Sequence, residues 1–394
     1  MTNRAPSGLS KNTFRMAAAA LFADMATEML TPVLPIFLTQ TLNATGSVVG
    51  LVDGAAQAIR NVIDGFSGPI SDTLHKRRII AVGGYAMAAI AKPLMGLSTF
   101  WEGVLAARIF DRLGAGIRSA PSDAIVASSV DKRHRGGGFG LEALGEYAGA
   151  FLGPIATVLL LYALQVDIRT VFYCAFVPGL LAVAMVFLVT GRRPTHGSSR
   201  KMIIRPRGLP AAYWKYLFVL ALFSIGNSSN SFLILRTQEI GGSLPMTTLV
   251  YAGFNLVAAL ISYPVGSLSD KWGRKNVLLG ACVVFLIVYT GFSLAENIVA
   301  LIVLFLLYGF YQGSFRSMTR GIASDLAPEQ LRASAIGWFS ATIGLCQLAA
   351  GLIAGTLWDQ FGHTSAFMYG MASAAAGILG LVFLIRPTKA AEKI

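Results

Sequence analysis

The sequence predicts an all-α membrane protein of twelve transmembrane helices in two six-helix halves. Three observations carry that expectation. Of the 394 residues, 55% are hydrophobic and only 13% charged, against about 25% charged in a soluble domain, and the mean hydropathy is +0.63. Twelve segments are predominantly apolar over the roughly 20 residues needed to cross about 30 Å of hydrocarbon. Basic residues concentrate on alternate connecting segments, and one long polar stretch divides the spans six and six.

In chain order the spans fall near 14–40, 48–70, 79–98, 102–124, 138–163, 170–190, 214–236, 246–267, 276–295, 298–319, 335–358 and 364–386. The first carries Asp24 and Glu28 and is too long for a cleaved signal, so it reads as a retained helix. The fourth is the weakest by hydropathy because charges interrupt it. The stretch 191–213, rich in Gly, Pro and basic residues, reads as a linker between an N-terminal bundle (1–190) and a C-terminal one (214–394).

With the N-terminus inside, 24 Lys and Arg side chains lie on the cytoplasmic segments and two, Arg169 and Arg236, on the other side. That asymmetry predicts a multi-pass protein of the cell inner membrane with both termini cytoplasmic. It also accounts for the net charge of +13 without a nucleic-acid partner. The expected surroundings are the lipid bilayer and a small-molecule substrate, and the expected state is a monomer. Cys174, Cys282 and Cys346 each fall in a span with no paired spacing, so no disulfide framework or metal site is expected.

The two halves share a repeat. Gly68-Pro-Ile-Ser-Asp72-Thr-Leu-His-Lys76-Arg77 aligns with Gly266-Ser-Leu-Ser-Asp270-Lys-Trp-Gly-Arg274-Lys275, and the same offset sets Arg118-Ser119 on Arg316-Ser317. This Gly-x-x-x-Asp-basic-x-Gly-basic-basic pattern, between spans two and three and again between eight and nine, resembles the loop signature of the major facilitator superfamily. The first copy departs from it at Thr73 and His75. The resemblance implies two six-helix halves related by pseudo-two-fold symmetry. It also implies a cytoplasmic latch in which Gly68 and Gly266 permit close helix approach and Asp72 and Asp270 accept from neighbouring helix N-termini. Lys76, Arg77 and Arg274 would face phosphates or acidic helix ends. In span five, Gly145, Gly149, Gly153 and Pro154 are similar to a motif of proton-coupled drug exporters in that superfamily. Close helix packing explains the same spacing.

Charges inside spans cost at least about 2.5 kcal/mol each, and the first half holds nearly all of them. Asp24 and Glu28 share one helix face. By the resemblance, spans one, four, seven and ten line a cavity, which would set these carboxylates opposite Arg108, Asp111 and Arg112, with Asp24 level with Arg112. A carboxylate there can carry the coupling proton, with Glu146 as a further candidate. Arg stays charged, so Arg60, Arg108 and Arg112 read as counter-ions or anion ligands. Arg118, Asp123 and Glu142 read as part of the inner latch, and Lys92 as a residue snorkelling to the outer surface. In the second half, Asn227, Asn230, Tyr311, Gln312, Arg316 and Gln347 offer a largely neutral wall for substrate or for neighbouring helices. Met25 with Met29 reads as packing, and the four His form no ligand cluster.

The resulting expectation is a proton-coupled secondary transporter exporting a small organic compound, with no cofactor beyond the proton. Proton-linked import of an anionic or metal-chelating metabolite such as a siderophore is the alternative, and a ferroportin-like metal exporter using Asp24 a remoter one. No phosphate-cradling Gly-x-x-x-x-Gly-Lys-Ser/Thr loop is present, and no Ser-His, Cys-His or HExxH constellation falls in a span, so an enzyme is not expected.

Overall fold

Prolines, glycines and charges punctuate this apolar chain, and they decide where its helices start, break and meet. The computed structural model describes residues 10–74, 77–130, 135–190, 208–328 and 331–385, and for 65–74, 135, 136, 263, 267, 270, 317 and 333 the backbone alone. Its long elements are α1 (Lys11–Glu28), α2 (Gly46–Leu74), α3 (Arg77–Leu97), α4 (Trp101–Ser129), α5 (Arg135–Val158), α6 (Ile168–Cys174), α7 (Phe176–Phe187), α8 (Ala211–Ser224), α9 (Asn230–Glu239), α10 (Leu244–Trp272), α11 (Arg274–Leu294), α12 (Ile298–Asp325), α13 (Arg332–Phe361) and α14 (His363–Leu384). Among the described residues, eight helical stretches are long and apolar enough to cross a membrane: Arg77–Leu97, Gly137–Ala163, Ile168–Phe187, Leu244–Gly266, Arg274–Leu294, Ile298–Asp325, Ser334–Phe361 and His363–Leu384. The other four expected spans correspond to α1, α2, α4 and the α8–α9 pair. The charges of α1, α2 and α4 and a break between α8 and α9 set these apart.

The expectation of continuous first and seventh spans is corrected. α1 ends at Glu28, a turn occupies 29–33, and a short helix Leu34–Ile36 leads into a wide turn Phe37–Thr41. Pro32 cannot donate to the Glu28 carbonyl and its ring crowds it, which stops the helix there. The Met29 carbonyl released by the break is taken by the Thr157 hydroxyl at 2.8 Å. Between α8 and α9, Ile225-Gly-Asn-Ser-Ser229 leaves the helix, since Gly, Asn and Ser favour caps and turns. Ser229 then caps α9 by accepting from the Ser231 N–H. The carbonyls released by that break are met from α14, Ile225 by the Tyr369 hydroxyl at 2.8 Å and Leu222 by Ser373.

The chain divides into two units, residues 1–37 with 59–202, and 38–58 with 203–394. In the first, α5 lies along α1 on a glycine seam. A Cβ on Gly145, Gly149 or Gly153 would meet the carbonyls of Ala17, Leu21 and Met25. The three glycines and Thr157 thus line one face and let the two backbones touch, so packing alone accounts for the exporter-like spacing. Pro154 lies within α5 without ending it. Beyond the α5 turn, Asp167 caps α6, and the Thr170 hydroxyl and N–H hold its carboxyl below the usual carboxylate range.

In the second unit the opening turns of α2 are clamped twice. Gly46, Gly50 and Gly54 pack against Gly355, Gly351 and Leu348 of α13, with a Cβ on Gly50 colliding with the Gly351 carbonyl. The Asp359 carboxylate accepts from the Gly46 and Ser47 N–H groups at 2.6 and 2.8 Å, where the α2 N-terminus favours negative charge. The core of this unit is aromatic, with Phe223, Phe285, Tyr289, Tyr308 and Tyr311 fully buried against one another.

Gly149→Val should be expelled by the Leu21 carbonyl and lower stability by about 1–3 kcal/mol or more. Gly280→Val, whose added carbon would meet nothing within 4 Å among the described residues, should be tolerated. Folded yield by size-exclusion chromatography after a heating series compares the two, and equal yields would remove the seam from the account of α1–α5 packing.

Candidate functional site

A broken first helix in each repeat is the strongest backbone pointer to a transport site, and the buried charges beside α1 locate the chemistry. α3 and α4 run together where Gly84 meets the Gly114 carbonyl and the Cβ of Arg118. That contact brings Lys92 of α3 to Asp111 of α4. The Lys92 ammonium donates to Asp111 Oδ1 at 3.1 Å and to the Ala88 carbonyl at 3.0 Å. Arg112 Nη2 lies 2.8 Å from Asp111 Oδ2, and Arg108 Nη1 lies 3.7 Å from the same oxygen. All four residues are buried, Lys92 to 2% and Asp111 to 1% exposure.

Two expectations are corrected here. Lys92 does not snorkel: it is enclosed and ion-paired. The ion partner of Arg112 is its chain neighbour Asp111 rather than Asp24. The carboxylate of Asp24 instead lies within electrostatic reach of the Arg118 guanidinium and the Tyr85 phenol. Helix lengths explain the change. α1 begins at Lys11, which sets Asp24 about 20 Å along it at 1.5 Å per residue. α4 continues to Ser129, so Arg118 is about 17 Å and Arg112 about 26 Å from that end. When successive spans alternate in direction, Lys11 and Ser129 share a side, and the residue level with Asp24 is Arg118.

Arg118 sits with its guanidinium carbon 3.9 Å from the centre of the Tyr85 ring, a cation–π contact. Asp24 is partly buried, as is Glu28, while Glu142 is buried and Asp123 and Glu146 are exposed. Glu142 is within electrostatic reach of Asp123, Glu146 and Arg118. The structure therefore gathers Asp24, Arg118 and Tyr85 with an acidic group from α4 and α5. Tyr85 was missed in the sequence, where a lone Tyr in an apolar span carries no distinguishing signal. Asp64 and Arg60 lie on α2, both partly buried and both with partners of their own.

In the second unit the neutral wall is largely self-satisfied. The Asn227 amide donates to the Tyr311 hydroxyl at 2.9 Å, and the Tyr308 hydroxyl reaches Asn227 Oδ1 at 3.5 Å. Ser228 bonds Tyr289 at 3.1 Å. Asn227 and Tyr311 thus tie the helix break to α12. Asn230, Gln312 and Gln347 are partly buried, and Arg316 is exposed. Asp53, which was assigned no role, accepts from Ser229 Oγ at 2.8 Å and from Ser231 Oγ, which sets its charge on the N-terminus of α9.

Of the residues expected to form a latch, Arg274 pairs with Asp325 at the end of α12 at 2.8 Å. Gly273 closes α10 at φ +80°, a left-handed turn that suits the motif's second glycine. A Cβ on Gly266 would meet nothing within 4 Å among the described residues. Gly68, Asp72 and the Asp270 side chain lie outside the described side chains, and Lys76 outside the described residues. Arg77 opens α3 and is partly buried. Among the described residues no group of three or more His, Cys, Asp or Glu side chains is placed to hold a metal ion.

Comparison with known proteins extends this picture. The family model described as Major Facilitator Superfamily matches residues 16–236 and again 216–394. An uncharacterized MFS-type transporter of Methanocaldococcus jannaschii is 35% identical over 382 residues, covering 95% of each chain. The multidrug resistance protein MdtG of Citrobacter koseri is 27% identical over 305 residues, covering 73% of this chain and 74% of that one. A probable 4-methylmuconolactone transporter of Cupriavidus pinatubonensis is 26% identical over 350 residues, covering 83% and 78%. In fold, the chain resembles the solved nucleoside transporter NupG with a TM-score of 0.77 at 12% identity, over 94% of this chain and 97% of that one.

Removing Asp111 leaves Lys92 and Arg112 without their carboxylate, whereas removing Lys92 leaves Asp111 beside Arg112. Asp111→Asn should therefore lower stability by about 3–5 kcal/mol and Lys92→Met by less. Thermal unfolding of the two purified variants in detergent compares them, and equal losses would mean that Arg112 does not hold the carboxylate.

Proposed function

The chain belongs to the major facilitator superfamily, and from that premise we propose that it is a proton-coupled secondary transporter exporting a small organic compound by alternating access. The observation that carries the proposal is Asp24. It is a partly buried carboxylate on the broken first helix, within electrostatic reach of a fixed cation, Arg118. Neutralised, it loosens its hold on Arg118. Ionised, it restores it. A carboxylate whose two charge states favour different arrangements of its neighbours is what coupling to a proton requires. Glu28, one turn away on the same face, and Glu146, beside Glu142, are the relay groups.

Export is supported by the relative named a multidrug resistance protein, and a small organic cargo by the relative named as a 4-methylmuconolactone transporter. Import of an anionic or metal-chelating metabolite is a second reading. It is favoured by Lys92, Arg108 and Arg112 gathering around one carboxylate. In either direction the protein sits in the inner membrane with both termini in the cytoplasm, and the Arg274–Asp325 pair belongs to the inner gate.

A thermal-shift screen against drugs, siderophores, metals and organic acids supplies a ligand. In proteoliposomes an imposed pH gradient should then drive its accumulation, and Asp24→Asn should abolish accumulation while leaving ligand exchange. Accumulation that ignores the pH gradient rules out proton coupling. Coupling retained in Asp24→Asn rules out Asp24 as the carrier.

A further inference from the structure

Lys92 and Arg112 share one carboxylate. Both are enclosed, at 2% and 6% exposure, and among the described residues Asp111 is the carboxylate that either of them pairs with. The ammonium uses two of its three N–H groups, on Asp111 and on the Ala88 carbonyl. The guanidinium is much less well met. Its Nη2 approaches Asp111 Oδ2 to 2.8 Å, yet among the described residues that oxygen accepts no hydrogen bond, and Nε of Arg112 is buried without a partner. A planar fork of donors thus stands enclosed with one ion contact, and two cations stand against one anion. Arg108 is 3.7 Å from the same oxygen and has a further interaction besides, so the deficit is counted on Lys92 and Arg112 alone.

The ligand chemistry follows from charge, shape and depth. One negative charge balances Lys92, Asp111 and Arg112, whereas a phosphate dianion would overshoot. Two coplanar oxygens match the two parallel N–H groups of a guanidinium edge. Arg112 lies about 16 Å along α4 from Trp101, deeper than a lipid headgroup reaches. We propose that Arg112 and Lys92, with Asp111 between them, bind a carboxylate of the transported compound. The incoming group takes the Nε edge of Arg112 while Asp111 remains on Lys92. This deepens the function proposed above by naming the substrate class, and it rests on the chain carrying a small organic compound, in either direction.

The test reads binding at equilibrium. Purified full-length protein in detergent is melted with acetate or benzoate, and with benzamide and chloride as neutral and inorganic controls at matched ionic strength. Benzoate or acetate should raise the melting temperature where benzamide and chloride do not. Arg112→Lys keeps the charge but loses the fork, and should weaken that affinity at least about tenfold. Asp111→Asn removes the competing carboxylate, and its lost stability should be recovered by added acetate. Equal shifts with chloride and the carboxylates, or a carboxylate shift unchanged in Arg112→Lys, overturns the site. If Asp111→Asn cannot be purified, the wild-type and Arg112→Lys arms decide alone. No gradient is present, so failure here leaves proton coupling at Asp24 untouched. A coupling failure in proteoliposomes likewise leaves carboxylate binding intact.

Discussion

Hydrocarbon offers a polypeptide no hydrogen bonds, and the two helix breaks in this chain answer to that constraint. A helix satisfies its own backbone, so a break inside the membrane is tolerated only where a neighbour takes over the released groups. The break after α1 is met by Thr157 and the break after α8 by Tyr369 and Ser373. These hydroxyls reach carbonyls only because small residues let helices approach. The glycine seam of α5 is therefore part of what permits the broken helix on which Asp24 and Glu28 stand.

The same absence of water governs the charges. Asp111 serves Lys92 and Arg112 on one carboxylate with Arg108 3.7 Å away, and Arg118 is held by an aromatic face with acidic groups within reach. The arrangements differ in kind. The first is enclosed and asks for a further anion, while the second combines a partly buried carboxylate with a fixed cation and suits a proton. Their separation along α4, from Arg112 to Arg118, is about 9 Å. A substrate anion and a coupling proton can then act on neighbouring turns of one helix without competing for the same side chains.

Much of this was legible in residue order. Composition and the distribution of basic residues carried the all-helical membrane class, and the repeated loop pattern carried the family. The helix breaks were not legible from hydropathy, which Pro32 and Gly226 barely perturb, although both residues are known helix breakers. The partner of Asp24 was misplaced because depth was counted from apolar boundaries, whereas α1 and α4 run on through Lys11 and Ser129. Lys92 was misread for a related reason. A lone Lys near a span's end usually reaches water, and only the close approach of α4 reveals that it points inward.

The α2–α13 contact has glycine on both sides, Gly50 against Gly351 and Gly46 against Gly355. Contacts between larger residues can drift in evolution, one side shrinking as the other grows. Here neither partner can shrink further, so a change on one side has no compensating change on the other. Such a contact should be preserved as invariance and leave no trace of correlated substitution. Methods that infer proximity from covarying positions would then be blind to it, although it is one of the tightest approaches in the molecule.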